Sequence, residues 1–183
     1  MECKPHQLLQ FAVMGSFYAE KVLGVSSPKV GLMSVGEVEN RGGPRVRERN
    51  LVLEAAGINF VGNVEGGGVF STNVDVIVCD GFTGNVILKV AEGFGEMVVG
   101  MLMDEARQSP MYGAGLLMAK GAFRNLRSKV DYSEYGGAPL LGVNGACLIG
   151  HGKSSAKAIR NAIRFADSYA SCGVIENIGD KIL

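Results

Sequence analysis

Short apolar segments alternate with longer stretches of helical periodicity along this chain. The apolar segments are typical of strands and span 29–35, 58–65, 74–80 and 146–152. Around them, apolar residues recur at helical spacing over 6–24, 45–57, 86–108, 115–128 and 154–173. Runs that are apolar on successive residues are typical of parallel strands covered on both faces. The alternation predicts an α/β fold with a largely parallel sheet.

Composition agrees with an α/β fold and argues against several other classes of protein. The 183 residues fit one domain, and 47% of them are hydrophobic, which is enough for a substantial core. Lys+Arg 18 and Asp+Glu 18 cancel, so no overall positive field favours nucleic acid. The 4 cysteines lack the short paired spacings of zinc or disulfide frameworks, so we expect reduced thiols in a cytoplasmic protein. We see no signal-peptide pattern and no membrane-spanning segment.

Each strand-like segment ends in a polar turn that contains glycine. The four turns are Gly36-Glu37, Gly62-Asn63, Asp80-Gly81 and Gly150-His151-Gly152. Because the carboxyl ends of parallel strands meet at one edge of a sheet, we expect these turns to form a cradle for phosphate. In the third turn, Gly81 and Gly84 allow close backbone approach, while Thr83 and Asn85 offer donors. The alternative is that Thr83 or Asn85 simply caps the following helix.

Several long stretches of the sequence resemble one protein family. The stretches "VCDGFTGNVILKVAEG", "EYGGAPLLGVNG" and "GHGKSSAKAIRNAI" are similar to those of the PlsX family, the phosphate acyltransferases of bacterial phospholipid synthesis. The segments "CKPHQLLQFAVMGSFYAEKVLG", "KVGLMSVG" and "INFVGNVEG" agree as well, so the resemblance covers essentially the whole chain. Motifs of this length are more specific than a short match.

The resemblance implies an activity, a fold and a set of partners. It implies transfer of a fatty acyl group from acyl carrier protein to inorganic phosphate, without a metal or organic cofactor. It implies an α/β/α sandwich like that of isocitrate and isopropylmalate dehydrogenases, with a helical hairpin over 94–130 inside a single domain, 1–183. It also implies a homodimer on the cytoplasmic face of the membrane, which supplies acyl-phosphate to a downstream glycerol-phosphate acyltransferase.

Two features depart from the family pattern. Members are nearly twice as long, and this chain begins near the start of their second half. The loop after 29–35 keeps Gly36 and Glu37 but has Val38 and Arg41 where the family differs, and the usual Arg-Asp does not follow Glu65-Gly66. These departures leave open a non-catalytic dimerisation or membrane-binding fragment. A phosphotransacetylase-like enzyme that uses acyl-CoA is a further alternative.

Acyl transfer to phosphate needs an anion site, oxyanion donors and a proton for the leaving thiol. His151 is the best candidate general acid, because histidine side chains exchange protons near neutral pH. Asn85 and Lys89 lie one helical turn apart and are the other proposed catalytic residues. Further phosphate or oxyanion contacts are expected at Asn63, Asp80, Gly81, Thr83, Gly84, Gly136, Gly137 and Asn144. The alternatives are a structural turn bond for His151 and a solvated side chain for Lys89.

The predicted hairpin combines an apolar stripe, an apolar tip and basic residues. Its stripe residues, spaced as on one helix face, are Phe94, Met97, Val98, Met101 and Leu102. We expect Met111, Tyr112, Leu116 and Leu117 to form a membrane-inserting tip, and a dimer interface is the alternative. Lys120, Arg124 and Arg127 recur at helical spacing and are expected to contact carrier protein or anionic lipid, unless they are simply solvated.

Overall fold

A computed structural model describes residues 3–34, 43–70, 73–123, 136–171 and 173, with only the backbone for 43–47. The chain divides into two compact units, which we describe separately. The first unit comprises Met1–Gly81, Ala138–Ile149 and Arg164–Leu183. The second comprises Phe82–Gly137 and Gly150–Ile163.

The first unit contains the parallel sheet that the sequence predicts. Its regular elements are α1 (Pro5–Lys21), β1 (Val30–Met33), α2 (Gly43–Glu54), β2 (Phe60–Val64), a 3₁₀ turn (Gly66–Gly68), β3 (Val76–Val78), β4 (Ala138–Pro139) and β5 (Leu148–Ile149). Strands β2, β1 and β3 pair in that order, and both pairings are parallel. The α/β class and the strands predicted within 29–35, 58–65 and 74–80 are therefore confirmed.

One apolar core joins the sheet to the first two helices. Leu8 and Ala12 of α1 pack with Leu53 of α2 against Val30 and Leu32 of the central strand. Leu53 and Val30 are fully buried. Burial of such side chains stabilises a fold by about 1.5–3 kcal/mol each, which explains why the sheet and these two helices pack together.

The register of β2 against β1 changes within the pair. Val30 lies opposite Phe60, but Leu32 lies opposite Asn63, because an extra residue intervenes on β2. Gly62 has φ +96 at this point, a backbone conformation that favours glycine. The irregularity places Asn63 beside Leu32, on the face of the sheet that carries the core.

The predicted fourth strand does not join the parallel sheet within the described residues. β5 pairs with β4 instead, in an antiparallel two-stranded sheet. Leu140 N–H donates to Cys147 O at 2.8 Å, and the turn between the strands uses Gly142 at φ +80 and Gly145 at φ +147. A glycine-containing turn favours pairing with the nearest strand in sequence, which the prediction of a parallel strand overlooked.

The second unit is helical. It contains most of α3 (Gly81–Gln108), all of α4 (Pro110–Met118) and the first half of α5 (Ala156–Ser171). The second helix was predicted to begin at 115, but α4 begins at Pro110, because proline fits the first helical position. Helical backbone resumes at 120–123, and the rest of the predicted helix lies outside the described residues. Among the helices described, none is long and apolar enough to cross a membrane.

Candidate active site

The carboxyl edge of the parallel sheet collects polar residues from three neighbouring strands. Ser34 follows β1, Asn63 lies near the end of β2, and Asp80 follows β3 by two residues. Ser34 N–H donates to Val64 O at 2.9 Å, which extends the pairing of β1 with β2 by one residue beyond Met33. The structure therefore brings Asn63 and Asp80 to one edge of the sheet, as expected for parallel strands.

Three polar side chains of the first unit contain buried atoms that have no hydrogen-bond partner among the described residues. They provide four such atoms: Ser34 Oγ, Asn50 Oδ1, and both Oδ1 and Nδ2 of Asn63. Asn50 on α2 is 3% exposed. Buried polar groups are nearly always satisfied in folded proteins, so this cluster needs an explanation. Asn50 and Ser34 were not predicted as site residues, because nothing local in the sequence shows that they are buried.

Helix α3 begins earlier than the turn in the sequence suggests. Gly81 is its first residue, so Thr83, Gly84 and Asn85 all lie inside the helix. The N-cap position therefore falls on Asp80, and neither Thr83 nor Asn85 occupies it. The first four backbone N–H groups of a helix have no intrahelical acceptor, and the helix dipole favours an anion beside them. The start of α3 therefore has the polarity that suits a phosphate or a developing oxyanion.

Lys89 and Glu92 form an ion pair in the second unit, and His151 lies near enough to affect the Glu92 carboxyl. Lys89 Nζ lies 2.9 Å from Glu92 Oε2, three residues further along α3. The pKa of the Glu92 carboxyl is lowered by the hydrogen bond and the positive charge of Lys89, with a further contribution from His151. The structure thus brings two predicted catalytic residues to the same carboxylate. Glu92 was missed, although its spacing from Lys89 is a recognised pairing distance on a helix.

His151 is held by the turn that precedes α5. Its Nδ1 accepts a hydrogen bond from Lys153 N–H at 3.2 Å. Its carbonyl oxygen accepts from Ser154 N–H at 2.9 Å and from Ser154 Oγ at 2.6 Å. The neutral ring therefore carries its proton on Nε2. The structural turn bond considered for His151 is present, and it uses the lone pair of Nδ1 in the neutral ring.

The remaining residues predicted to contact phosphate or the oxyanion belong to different units. Gly136 is buried at φ +83 in the second unit, and a Cβ there would overlap Ala162 N and lie 2.5 Å from Ala158 O of α5. Gly137 follows it. Asn144 is exposed in the turn between β4 and β5 of the first unit. Gly136 thus has a packing role that the sequence did not indicate.

The apolar residues predicted at the hairpin tip differ in exposure. Met111 is 75% exposed, Tyr112 54% and Leu117 72%, whereas Leu116 is half-buried. Lys120 is exposed, and Arg124 and Arg127 lie outside the described residues. Within the described ranges, no group of three or more His, Cys, Asp or Glu side chains is suited to a metal ion.

Cys79 lies at the carboxyl end of β3, beside Asp80. Burial raises the pKa of its thiol, and Asp80 and Cys3 raise it further. Cys147 is exposed. Because the thiolate is the reactive form, we expect iodoacetamide to alkylate Cys147 roughly tenfold faster than Cys79. Peptide mass spectrometry over a time course measures both rates in one sample, and equal rates would contradict the burial of Cys79.

Comparison with known proteins gives one family over almost the whole chain. Residues 1–177 match the family described as "Fatty acid synthesis protein". Proteins named phosphate acyltransferase are 50% identical in Geotalea uraniireducens, 47% in Geobacter sulfurreducens and 48% in Pelotomaculum thermopropionicum, each over 182 residues. These alignments cover 100% of this chain and 53% of each relative, so the chain spans about half the length of the curated relatives it matches.

Proposed function

Because the chain belongs to the fatty acid synthesis protein family, we propose that it forms part of an acyltransferase that moves a fatty acyl group from acyl carrier protein to inorganic phosphate. The observation that carries this proposal is the alignment of the chain over 182 residues, at about 50% identity, with a protein named phosphate acyltransferase. The family resemblance favours acyl carrier protein as donor, phosphate as acceptor and an isocitrate dehydrogenase-like fold for the whole enzyme.

The chemistry assigned to the second unit is a single displacement at a thioester. A phosphate oxygen attacks the carbonyl carbon, the oxyanion collapses, the C–S bond breaks, and the carrier thiolate leaves. The backbone N–H groups that open α3, together with Asn85, are proposed to hold the phosphate or the oxyanion. His151 is proposed to donate its Nε2 proton to the leaving thiolate. The products are acyl-phosphate and the free thiol of the carrier.

Lys89 and Glu92 are proposed to act as a pair. Lys89 supplies positive charge toward phosphate, and Glu92 accepts a hydrogen bond from it at 2.9 Å. Because His151 also interacts with Glu92, the carboxylate is suited to stabilise a ring protonated on both nitrogens. That form gives up the Lys153 N–H bond at Nδ1 and donates its proton from Nε2. Asp80 is proposed to orient donors, since a carboxylate directly against phosphate would repel it. Asn144 and the Gly136-Gly137 turn remain proposed donors.

The proposed partners of the enzyme are inferred from its basic residues and from its exposed apolar side chains. Acyl carrier protein is acidic, which suits Lys120 and, outside the described residues, Arg124 and Arg127. A homodimer, peripheral contact with the cytoplasmic face of the membrane and delivery to a downstream glycerol-phosphate acyltransferase belong to the same proposal. The predicted 94–130 hairpin would provide the membrane contact.

Acyl-phosphate formation tests the proposed reaction. The purified chain is incubated with palmitoyl-acyl carrier protein, with and without phosphate, and acyl-phosphate is quantified by mass spectrometry. Phosphate-dependent acyl-phosphate formation is the expected result. A parallel reaction with palmitoyl-CoA addresses the phosphotransacetylase-like alternative, for which equal or faster turnover of the CoA thioester is expected. A folded chain that forms no acyl-phosphate from either donor favours the non-catalytic fragment.

The apolar residues of α4 provide a test of membrane contact. We expect the double variant Met111→Asp, Leu117→Asp to bind phosphatidylglycerol vesicles at least about tenfold more weakly, because two exposed apolar side chains no longer enter the bilayer interface. Vesicle sedimentation measures the change. Phe70→Asp is the matched control, since Phe70 is 80% exposed in the first unit. Equal weakening by both substitutions would contradict a specific contact through α4.

A further inference from the structure

We propose that Asn63, supported by Ser34 and Asn50, binds an amide group of the pantetheine arm that carries the acyl thioester. This inference rests on the proposed function and assigns to its acyl donor a contact in the first unit. It replaces phosphate as the predicted ligand of Asn63. The observation that carries it is the pair of Asn63 amide atoms near the carboxyl end of β2 that are buried and unpartnered among the described residues, with further such atoms on Ser34 and Asn50 of neighbouring elements.

The position of Asn63 follows from the irregular pairing of β2 with β1. Gly62 at φ +96 accompanies the register change that sets Asn63 opposite Leu32. Asn63 therefore lies on the face that carries the core, although it is close to the open edge. Leaving a buried amide unsatisfied costs about 1–3 kcal/mol of folding free energy for each lost bond. The unpartnered side chain of Asn63 therefore destabilises the fold unless a ligand binds to it.

Ser34 and Asn50 lie on elements next to Asn63. Ser34 continues β1 beyond Met33, which pairs with Val64. Asn50 lies on α2, one turn before Leu53, which is in the core cluster that includes Leu32, and α2 packs against β2. Ser34 thus follows β1, Asn63 lies on the neighbouring strand β2, and Asn50 lies on α2, which packs against β2.

The chemistry of these atoms distinguishes an amide from a phosphate. Asn63 offers one donor group, Nδ2, and one acceptor, Oδ1, and both lack a partner among the described residues. A secondary amide matches this pair, since its N–H donates to Oδ1 while its carbonyl accepts from Nδ2. A phosphate dianion presents almost only acceptors. It would satisfy Nδ2 and the Ser34 hydroxyl but leave the Oδ1 atoms of Asn63 and Asn50 facing negative oxygens.

A pantetheine arm carries secondary amides and a hydroxyl between its thioester and its phosphate. It therefore supplies both donors and acceptors, as the four unpartnered atoms require. Each of the four atoms exposes less than 1 Å² of surface, so the arm reaches them only when neighbouring residues move aside. We therefore expect binding to accompany a local rearrangement at this edge.

Asn59 provides a matched control on the same strand segment. It lies at the opposite, amino end of β2, and its Nδ2 donates to Ser27 O at 2.9 Å and Ser27 Oγ at 3.3 Å. The same substitution should have opposite effects at the two positions. Asn63→Leu removes unsatisfied buried atoms, and we expect the thermal midpoint to rise by about 2–4 °C. Asn59→Leu removes a made hydrogen bond, and we expect the midpoint to fall.

Binding is tested by NMR with two probes, pantetheine and inorganic phosphate, on the ¹⁵N-labelled chain. The Asn63 side-chain amide signals are assigned by their loss in Asn63→Leu, and those of Asn59 by their loss in Asn59→Leu. We expect pantetheine to shift the Asn63 signals and leave those of Asn59 unchanged, while phosphate shifts neither. We also expect Asn63→Leu to bind pantetheine at least about tenfold more weakly, as the loss of a paired amide predicts.

Three results would overturn the inference: no shift of the Asn63 signals with pantetheine, an equal shift with phosphate alone, or a lowered thermal midpoint in Asn63→Leu. The acyl-phosphate assay keeps this inference separate from the proposed function. Acyl-phosphate formation without a pantetheine effect at Asn63 would remove this contact alone. If pantetheine shifts the Asn63 signals but the chain forms no acyl-phosphate, the contact at Asn63 is supported and the proposed reaction is contradicted.

Discussion

Replacing Gly136 with alanine should lower the free energy of unfolding by about 2–5 kcal/mol. A left-handed backbone costs a non-glycine residue about 1–2 kcal/mol, and Gly136 has φ +83. Overpacking adds about 1–3 kcal/mol, because the new Cβ would overlap Ala162 N and lie 2.7 Å from Ala162 Cα. These contacts are with the backbone of α5, so rotation of a side chain cannot relieve them. Urea unfolding monitored by circular dichroism measures the loss.

Gly57→Ala separates the two contributions to this loss. Gly57 has φ +67, close to the value at Gly136, but nothing lies within 4 Å of a Cβ built there. The control should therefore lose only the conformational contribution of about 1–2 kcal/mol. Losses of the same size in both variants would show that Gly136 does not pack closely against α5.

Replacing His151 with glutamine should lower phosphate-dependent turnover by about 100- to 10,000-fold. This is the usual contribution of a general acid, and glutamine cannot supply a proton to the leaving thiolate. The glutamine side chain can still accept the Lys153 N–H bond that holds the ring, which is 3.2 Å long in the wild type. The change therefore removes proton transfer while the turn before α5 keeps a partner. Initial rates of acyl-phosphate formation measure the effect.

His6→Gln is the matched control for His151→Gln. His6 is exposed on α1, it is the other of the 2 histidines in the chain, and the proposed reaction does not use it. We expect the control to retain wild-type turnover. We also expect added imidazole to restore part of the activity of His151→Gln, which a purely structural defect would not allow. A loss below tenfold, or one shared with His6→Gln, would remove His151 as the acid.

Hydrophobic periodicity predicts the helices and the parallel strands well, because those patterns report burial on a local scale. The apolar run at 146–152 carries the same signal, yet its strand β5 pairs antiparallel with β4. Choice of partner depends on the turn conformations at Gly142 and Gly145 rather than on hydrophobicity. The helix predicted over 115–128 likewise begins earlier, at Pro110, because proline is suited to the first helical position.

The candidate site was predictable where it depends on short motifs and not where it depends on tertiary contacts. The turns around Asp80 and His151 are visible in the sequence as polar residues at strand ends. Glu92 could not be predicted as a site residue, because its interaction with His151 exists only after folding has brought His151 near the Lys89–Glu92 ion pair. The burial of Asn50 and the inward placement of Asn63 depend on packing and on one irregular register, neither of which a sequence pattern encodes.

An isotope experiment shows most directly whether this chain takes part in acyl transfer to phosphate. The purified chain is incubated with palmitoyl-acyl carrier protein and oxygen-18-labelled phosphate, and the products are analysed by mass spectrometry. We expect palmitoyl-phosphate that retains all of the label, formed at a rate that depends on the phosphate concentration. Unlabelled palmitate released at a rate independent of phosphate, or no consumption of the thioester by the folded chain, would contradict it.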